Sequence, residues 1–306
     1  MTDARRGLRV ALVAVLSTLV LCCTSAWGAD RAECSAIESR ILGRAVRYCA
    51  LLPASYDTAP TRRYPVLYFL HGLGDNEQAL IKSGAWNIVE RLRETGKIAD
   101  FLIVTPQGDR TYYINSHDGS VRYEDFFIRE FIPAIERRYR VRQTRADHGI
   151  AGVSMGGYGA LRFAFKYPQM FTAVAGQMPA LYENVPPFVR AAAAISPRAA
   201  RLDIGNVFGN PFDEKYWEAQ SPFTLVRTNA ARLHQLKIYF DCGDEDGYGF
   251  DAGARALDRL LSDKGVAHEF HIYPGGHDWM YVVQHFPQVL EFESQAIAAQ
   301  PPTRNR

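Results

Sequence analysis

The sequence predicts an α/β fold: a mostly parallel central sheet flanked by helices, with a helical or loop cap insertion. Three observations point there. Short apolar runs such as Val66-Leu67-Tyr68-Phe69-Leu70 and Phe101-Leu102-Ile103-Val104 recur without polar alternation, as strands buried on both faces require. Segments with one apolar face at helical spacing separate them. A Gly-Val-Ser-Met-Gly turn at 152–156 joins one such run directly to one such helix. The 306 residues, 47% hydrophobic and 22% charged, are ample for one large core.

The elements follow in order. Arg5, Arg6 and Arg9 precede an apolar stretch at 10–23, then small residues Thr24, Ser25, Ala26, Gly28 and Ala29. This layout predicts a signal peptide over 1–29 and a secreted or periplasmic mature protein. The apolar part, about 14 residues, is shorter than the roughly 20 that span a bilayer, so no stable membrane span is expected in the mature form. A retained anchor is the alternative. Residues 34–41 and 44–52 read as a hairpin around Leu42-Gly43, which sets Cys34 opposite Cys49 as a disulfide candidate in an oxidising compartment. Cys242 is then a lone thiol.

Strands are predicted over 64–70, 101–105, 148–153, 171–176, 236–242 and 267–273, and helices over 85–95, 122–139, 155–167 and 280–298. Phe126, Phe127, Phe131, Ile132 and Ile135 form the buried face of the 122–139 helix. Residues 178–232, rich in Pro, Asn and aromatics, interrupt the rhythm and read as a cap over the strand C-terminal ends. One domain is expected over 30–300.

A net charge of +2 gives no argument for a nucleic-acid partner or an acidic membrane surface. No Cys or His cluster has metal-ligand spacing, so no metal and no cofactor are expected. The oligomeric state is left open.

Strand, sharp turn and helix around Ser154 form the context of a nucleophile elbow. The pentapeptide alone is common enough that its partners must decide it. A serine nucleophile needs a base, an acid to orient that base and an oxyanion site. His277 follows the last strand in a Gly275-Gly276 loop that can turn the ring over the sheet. His268 and His271 are expected to play structural or surface parts. After the strand at 236–242, Asp241, Asp244, Glu245 and Asp246 compete as the acid. Asp246 is preferred because it lies in the turn beyond the strand end, and Asp244 is second. The oxyanion donors are expected to be the backbone amides of Met155 and Leu73, the latter in the loop His71-Gly72-Leu73-Gly74. His71 is expected to brace that loop. Tyr112, Tyr113, Trp217 and Trp279 are candidates for an aromatic-accepting substrate pocket, with core and lid packing as the competing reading.

At these residues the chain resembles the esterase D and feruloyl esterase-like branch of the α/β-hydrolases. The matching pieces are Tyr68-Phe69-Leu70-His71-Gly72-Leu73-Gly74, Gly152-Val153-Ser154-Met155-Gly156-Gly157-Tyr158-Gly159-Ala160, Cys242-Gly243-Asp244-Glu245-Asp246 and Gly275-Gly276-His277-Asp278-Trp279. They extend over roughly residues 46–292. The resemblance implies an α/β-hydrolase sheet of eight or nine strands and carries the nucleophile to Ser154, the acid to Asp246, the base to His277 and the oxyanion donors to Leu73 and Met155. Two departures are Pro106-Gln107-Gly108, where relatives often carry an acidic residue in the middle, and Tyr112-Tyr113 with Asn115. The expected function is an exported serine carboxylesterase acting on acetyl, feruloyl or other small acyl esters through an acyl-enzyme. The alternatives are an acyltransferase of mycolyltransferase type, passing the acyl group to a sugar or lipid alcohol, and an inactive binding protein.

Overall fold

A computed structural model describes residues 31–190 and 203–298. The expected signal segment at 1–29 lies outside the described residues. Eight strands form one sheet: β1 (Arg31–Ser39), β2 (Arg44–Leu52), β3 (Val66–Leu70), β4 (Leu102–Pro106), β5 (His148–Val153), β6 (Ala173–Gln177), β7 (Lys237–Gly243) and β8 (Glu269–Tyr273). Their spatial order is β1-β2-β4-β3-β5-β6-β7-β8. β1 and β2 run antiparallel to their neighbours, and the other six are mutually parallel. Every residue of β3, β4, β5 and β6 is buried, which is why those segments are apolar without alternation.

The chain passes from β3 to β4 on one side and then returns to lay β5 on β3's other side. β3 and β5 therefore flank a switch point in strand order, where the loops leaving their C-terminal ends diverge and open a crevice. The loop after β3 begins at His71, and the turn after β5 holds Ser154.

The amino-terminal hairpin has Cys34 opposite Cys49, and the two are disulfide-bonded. β1 ends at Ser39 rather than at Ile41. The turn draws its amides elsewhere: Leu42 N–H donates to Ser39 Oγ at 2.9 Å, and Arg40 and Ile41 donate to the Glu130 carboxylate at 3.2 and 3.3 Å. β3 begins after Pro65, with Tyr64 left in an isolated bridge to Val141.

The expected continuous helix at 122–139 is interrupted by a π-turn, Phe127–Phe131, between Tyr123–Phe126 and Ile132–Arg138. Pro133 is the cause: it has no N–H, and its ring crowds the carbonyl four residues back, so the preceding turn widens. Phe126, Phe127, Phe131, Ile132 and Ile135 are buried as the periodicity predicts.

Of the segment at 178–232, read from the sequence as a cap, residues 191–202 lie outside the described residues. Its longest described helix, Pro222–Leu233, packs against the helices Met155–Lys166 and Phe250–Asp263 and so belongs to a flanking layer of the sheet. Among the described residues of the segment, Met178 and Ala180 line the crevice. No helix of the described residues is long and apolar enough to cross a membrane.

Candidate active site

Ser154 sits between β5 and the helix Met155–Lys166 with φ 56° and ψ −116°, a region that non-glycine residues avoid. The neighbouring glycines make the bend possible. A Cβ at Gly156 would lie 1.9 Å from the Leu70 carbonyl oxygen, and one at Gly152 would lie 2.4 Å from the Gly156 carbonyl. The helix starts one residue after Ser154, so its first amides lack intrahelical acceptors and point toward the serine.

The imidazole of His277 bridges two groups from other strand ends. Its Nε2 lies 2.9 Å from Ser154 Oγ, and its Nδ1 lies 2.7 Å from Asp246 Oδ2. A carboxylate only accepts, so Nδ1 carries the proton and the Nε2 lone pair faces the serine hydroxyl. The Asp246 side chain is fully buried. Burial opposes its charge, but the hydrogen bond and charge of His277, the Tyr248 amide at 2.8 Å and the Cys242 thiol at 3.5 Å outweigh that and lower its pKa. Tyr248 and Phe250 meet the His277 ring edge-on at centroid distances of 4.8 and 5.3 Å, limiting its tilt.

The competing acids do other things. Asp244 Oδ1 accepts the Gly275 amide at 3.0 Å and ties the two loops together. Asp241 is buried and accepts hydroxyls from Tyr239 and Tyr281 at 2.9 and 3.0 Å. Burial pushes its carboxyl up to about 7. His268 is held by Asp258 at 2.9 Å, just before β8.

His71 is fully buried. Its Nε2 accepts the Gly108 amide at 2.8 Å, which places its proton on Nδ1, 2.8 Å from the Gly72 carbonyl oxygen. Burial lowers its pKa, in keeping with this neutral ring. It thereby holds the loop carrying Leu73 against the loop after β4. Leu73, in the loop after β3, and Met155, the first residue of the helix after β5, both line the crevice beside Ser154.

That crevice has a volume of about 380 Å³. Of the four aromatic candidates, Tyr112 and Trp279 line it. Tyr113 does not: it is fully buried behind the loop, with its hydroxyl donating to the His71 carbonyl at 3.0 Å. Trp217 does not either, because it packs on Phe208 and Phe212 away from the crevice. Both are corrections to the sequence reading. In each case the aromatic side chain was better used in packing, which composition cannot distinguish from lining. The sequence reading missed Tyr248, Phe250, Met178 and Ala180 in the lining. Tyr248 lies two residues past Asp246, where the reach of the turn was the only available signal. Among the described residues no group of three His, Cys, Asp or Glu side chains is placed to hold a metal ion.

A parallel sheet with a serine elbow at the switch point and a histidine and aspartate on later loops defines the α/β-hydrolase fold. Within that fold the chain belongs to the esterase family, whose family model matches residues 39–292. An esterase of Mycobacterium tuberculosis is 31% identical over 241 residues, 74% of this chain and 51% of the relative. The chain thus spans about half the length of that curated relative. An acetyl esterase of Caldicellulosiruptor saccharolyticus is 25% identical over 75% of this chain and 83% of its own length. Among solved structures, a ferulic acid esterase superposes with a TM-score of 0.74 at 27% identity, covering 88% of this chain and 99% of that one. An S-formylglutathione hydrolase from Staphylococcus aureus, 23% identical with a TM-score of 0.65 over 85% of this chain and 97% of its own, shares the fold.

Proposed function

We propose that the protein is an exported serine carboxylesterase working through an acyl-enzyme on Ser154. The observation that carries this reading is the continuous hydrogen-bond chain from Asp246 Oδ2 through His277 to Ser154 Oγ. His277 Nε2 takes the hydroxyl proton as Ser154 Oγ bonds to the ester carbonyl carbon. The Leu73 and Met155 amides receive the oxyanion. The imidazolium, stabilised by the Asp246 carboxylate, returns the proton to the departing alkoxy oxygen as the C–O bond breaks. Water then repeats the sequence on the acyl-enzyme and releases the acid. The esterase family and the acetyl and ferulic acid esterases similar to this chain support ester substrates of that kind. The basic, apolar and small-residue order of the first 29 residues, together with the Cys34–Cys49 disulfide, supports export to an oxidising compartment.

The test is covalent labelling. The protein is expected to hydrolyse p-nitrophenyl acetate and to gain one fluorophosphonate adduct, mapped by mass spectrometry to Ser154. Ser154→Ala should lose both. Turnover surviving that substitution, or an adduct elsewhere, would refute the assignment.

A further inference from the structure

We infer that this site selects esters by charge, favouring uncharged substrates over those with a carboxylate close to the scissile bond, and that Asp75 sets the preference. The inference rests on the esterase reading and adds the substrate class to it. The lining of the crevice contains two carboxylates, Asp75 and Asp278, and among its described residues no Lys or Arg. The rest of the lining is largely apolar, including Leu73, Tyr112, Phe250 and Trp279.

Asp278 caps the last helix, its Oδ1 accepting the Tyr281 amide at 2.9 Å, whereas Asp75 stands beside the nucleophile. A methyl group at Gly72 would lie 3.4 Å from Asp75 Oδ2 and 3.6 Å from Ser154 Cβ, so carboxylate and nucleophile flank the same glycine. Asp75 is held in the turn after β3: its backbone N–H donates to the Gly72 carbonyl at 3.2 Å, and the neighbouring Trp279 side chain favours its charged form. The groups facing it are the neutral ring of His71 and Lys82. Lys82 is exposed and outside the lining, so it attenuates the field in the crevice without supplying a cation to an anionic substrate. Burial raises the Asp75 pKa.

The half-buried position of Asp75 keeps the local dielectric below that of water. Two unit charges about 7 Å apart at an effective dielectric constant of 20–40 correspond to a roughly 5- to 50-fold preference. The substrates favoured are acyl esters of neutral alcohols, hydroxyl-rich sugars among them. Thioesters of anionic peptides such as glutathione are disfavoured, because the described lining holds no Lys or Arg to pair with their carboxylates.

The experiment compares kcat/KM at pH 8 for two acetyl esters of matched shape, 4-acetoxybenzoate and 4-acetoxybenzamide, each normalised to its rate of hydroxide hydrolysis. The normalised amide-to-carboxylate ratio is expected at about 5–50. Asp75→Asn should bring it down at least threefold, whereas Asp75→Glu, which keeps the charge, should preserve it. The ratio within one variant cancels any general loss of activity. A ratio near one in the unaltered protein, or one that Asp75→Asn leaves in place, would overturn charge selection by Asp75 while the esterase reading stands. Failure to turn over either ester would overturn both.

Discussion

Replacing Asp246 by Asn tests the site at the hydrogen bond that orients its base. Asp246 uses its two oxygens differently: Oδ1 accepts the Tyr248 amide at 2.8 Å, and Oδ2 accepts His277 Nδ1–H at 2.7 Å. An asparagine has only one acceptor oxygen. If that oxygen stays with Tyr248, the NH2 group faces Nδ1, and the imidazole must turn over its proton to Nε2. A protonated Nε2 cannot take the proton of Ser154. If the amide flips, the half-buried Tyr248 N–H faces a donor instead of an acceptor, at a cost of about 1–3 kcal/mol. The structure therefore favours the inactive tautomer by roughly 5- to 150-fold before any loss of imidazolium stabilisation is counted. Adding the missing carboxylate charge, we expect kcat on p-nitrophenyl acetate to fall by about 10³–10⁴. Fluorophosphonate labelling should slow in parallel, and the thermal midpoint should stay within a few degrees. Asp244→Asn is the control. Its side chain accepts only from the Gly275 backbone, and an amide oxygen can do the same, so less than a tenfold loss is expected. An Asp246→Asn protein within threefold of normal activity, or an Asp244→Asn protein equally impaired, would refute the reasoning.

Two buried acids should make stability fall as pH rises. Glu293 is fully buried with neither carboxylate oxygen hydrogen-bonded, and burial pushes its pKa well up. Asp241 is raised to about 7. Each holds a proton in the folded state that the unfolded chain releases above about pH 4, so stability from this source is full below pH 4 and is lost as pH climbs through the folded pKa. For Asp241 the loss amounts to about 4 kcal/mol by pH 8. Glu293→Gln and Asp241→Asn should each raise Tm relative to the unaltered protein more at pH 8 than at pH 5, and a pH-independent difference would contradict the assignment. Replacing Cys34 and Cys49 by Ser opens a loop with a sequence separation of 15 and is expected to cost up to about 3 kcal/mol. Because the disulfide lies in the hairpin at the sheet edge, kcat/KM should change less than twofold. A large activity loss without loss of stability would show that the hairpin does more than close the edge.

Much of the arrangement was legible in the chain because its signals are local. The apolar runs at β3, β4 and β5 have no exposed face, so periodicity alone identifies them. The elbow announces itself because a serine in this backbone needs Gly152 and Gly156 beside it. Positions at strand ends singled out His277 and ranked Asp246 ahead of Asp244, since a side chain that must reach across a sheet edge comes from the turn beyond the strand. Other features rest on longer-range competition. The π-turn at Phe127–Phe131 depended on one proline within an otherwise consistent amphipathic pattern. Tyr113 and Trp217 are as aromatic as Tyr112 and Trp279, and their place behind or beside the crevice depends on which neighbour offered the better packing.

The sequence by itself determined the strand and helix alternation, the bend at Ser154 and the order of serine, acid and histidine. Each is encoded within a few adjacent residues, where backbone sterics and burial act directly. Only the tertiary structure decided which aspartate faces His277, which aromatics line the crevice and that Asp75 stands beside the nucleophile. Those outcomes depend on distances between loops far apart in the chain, and such distances follow from how the whole sheet packs.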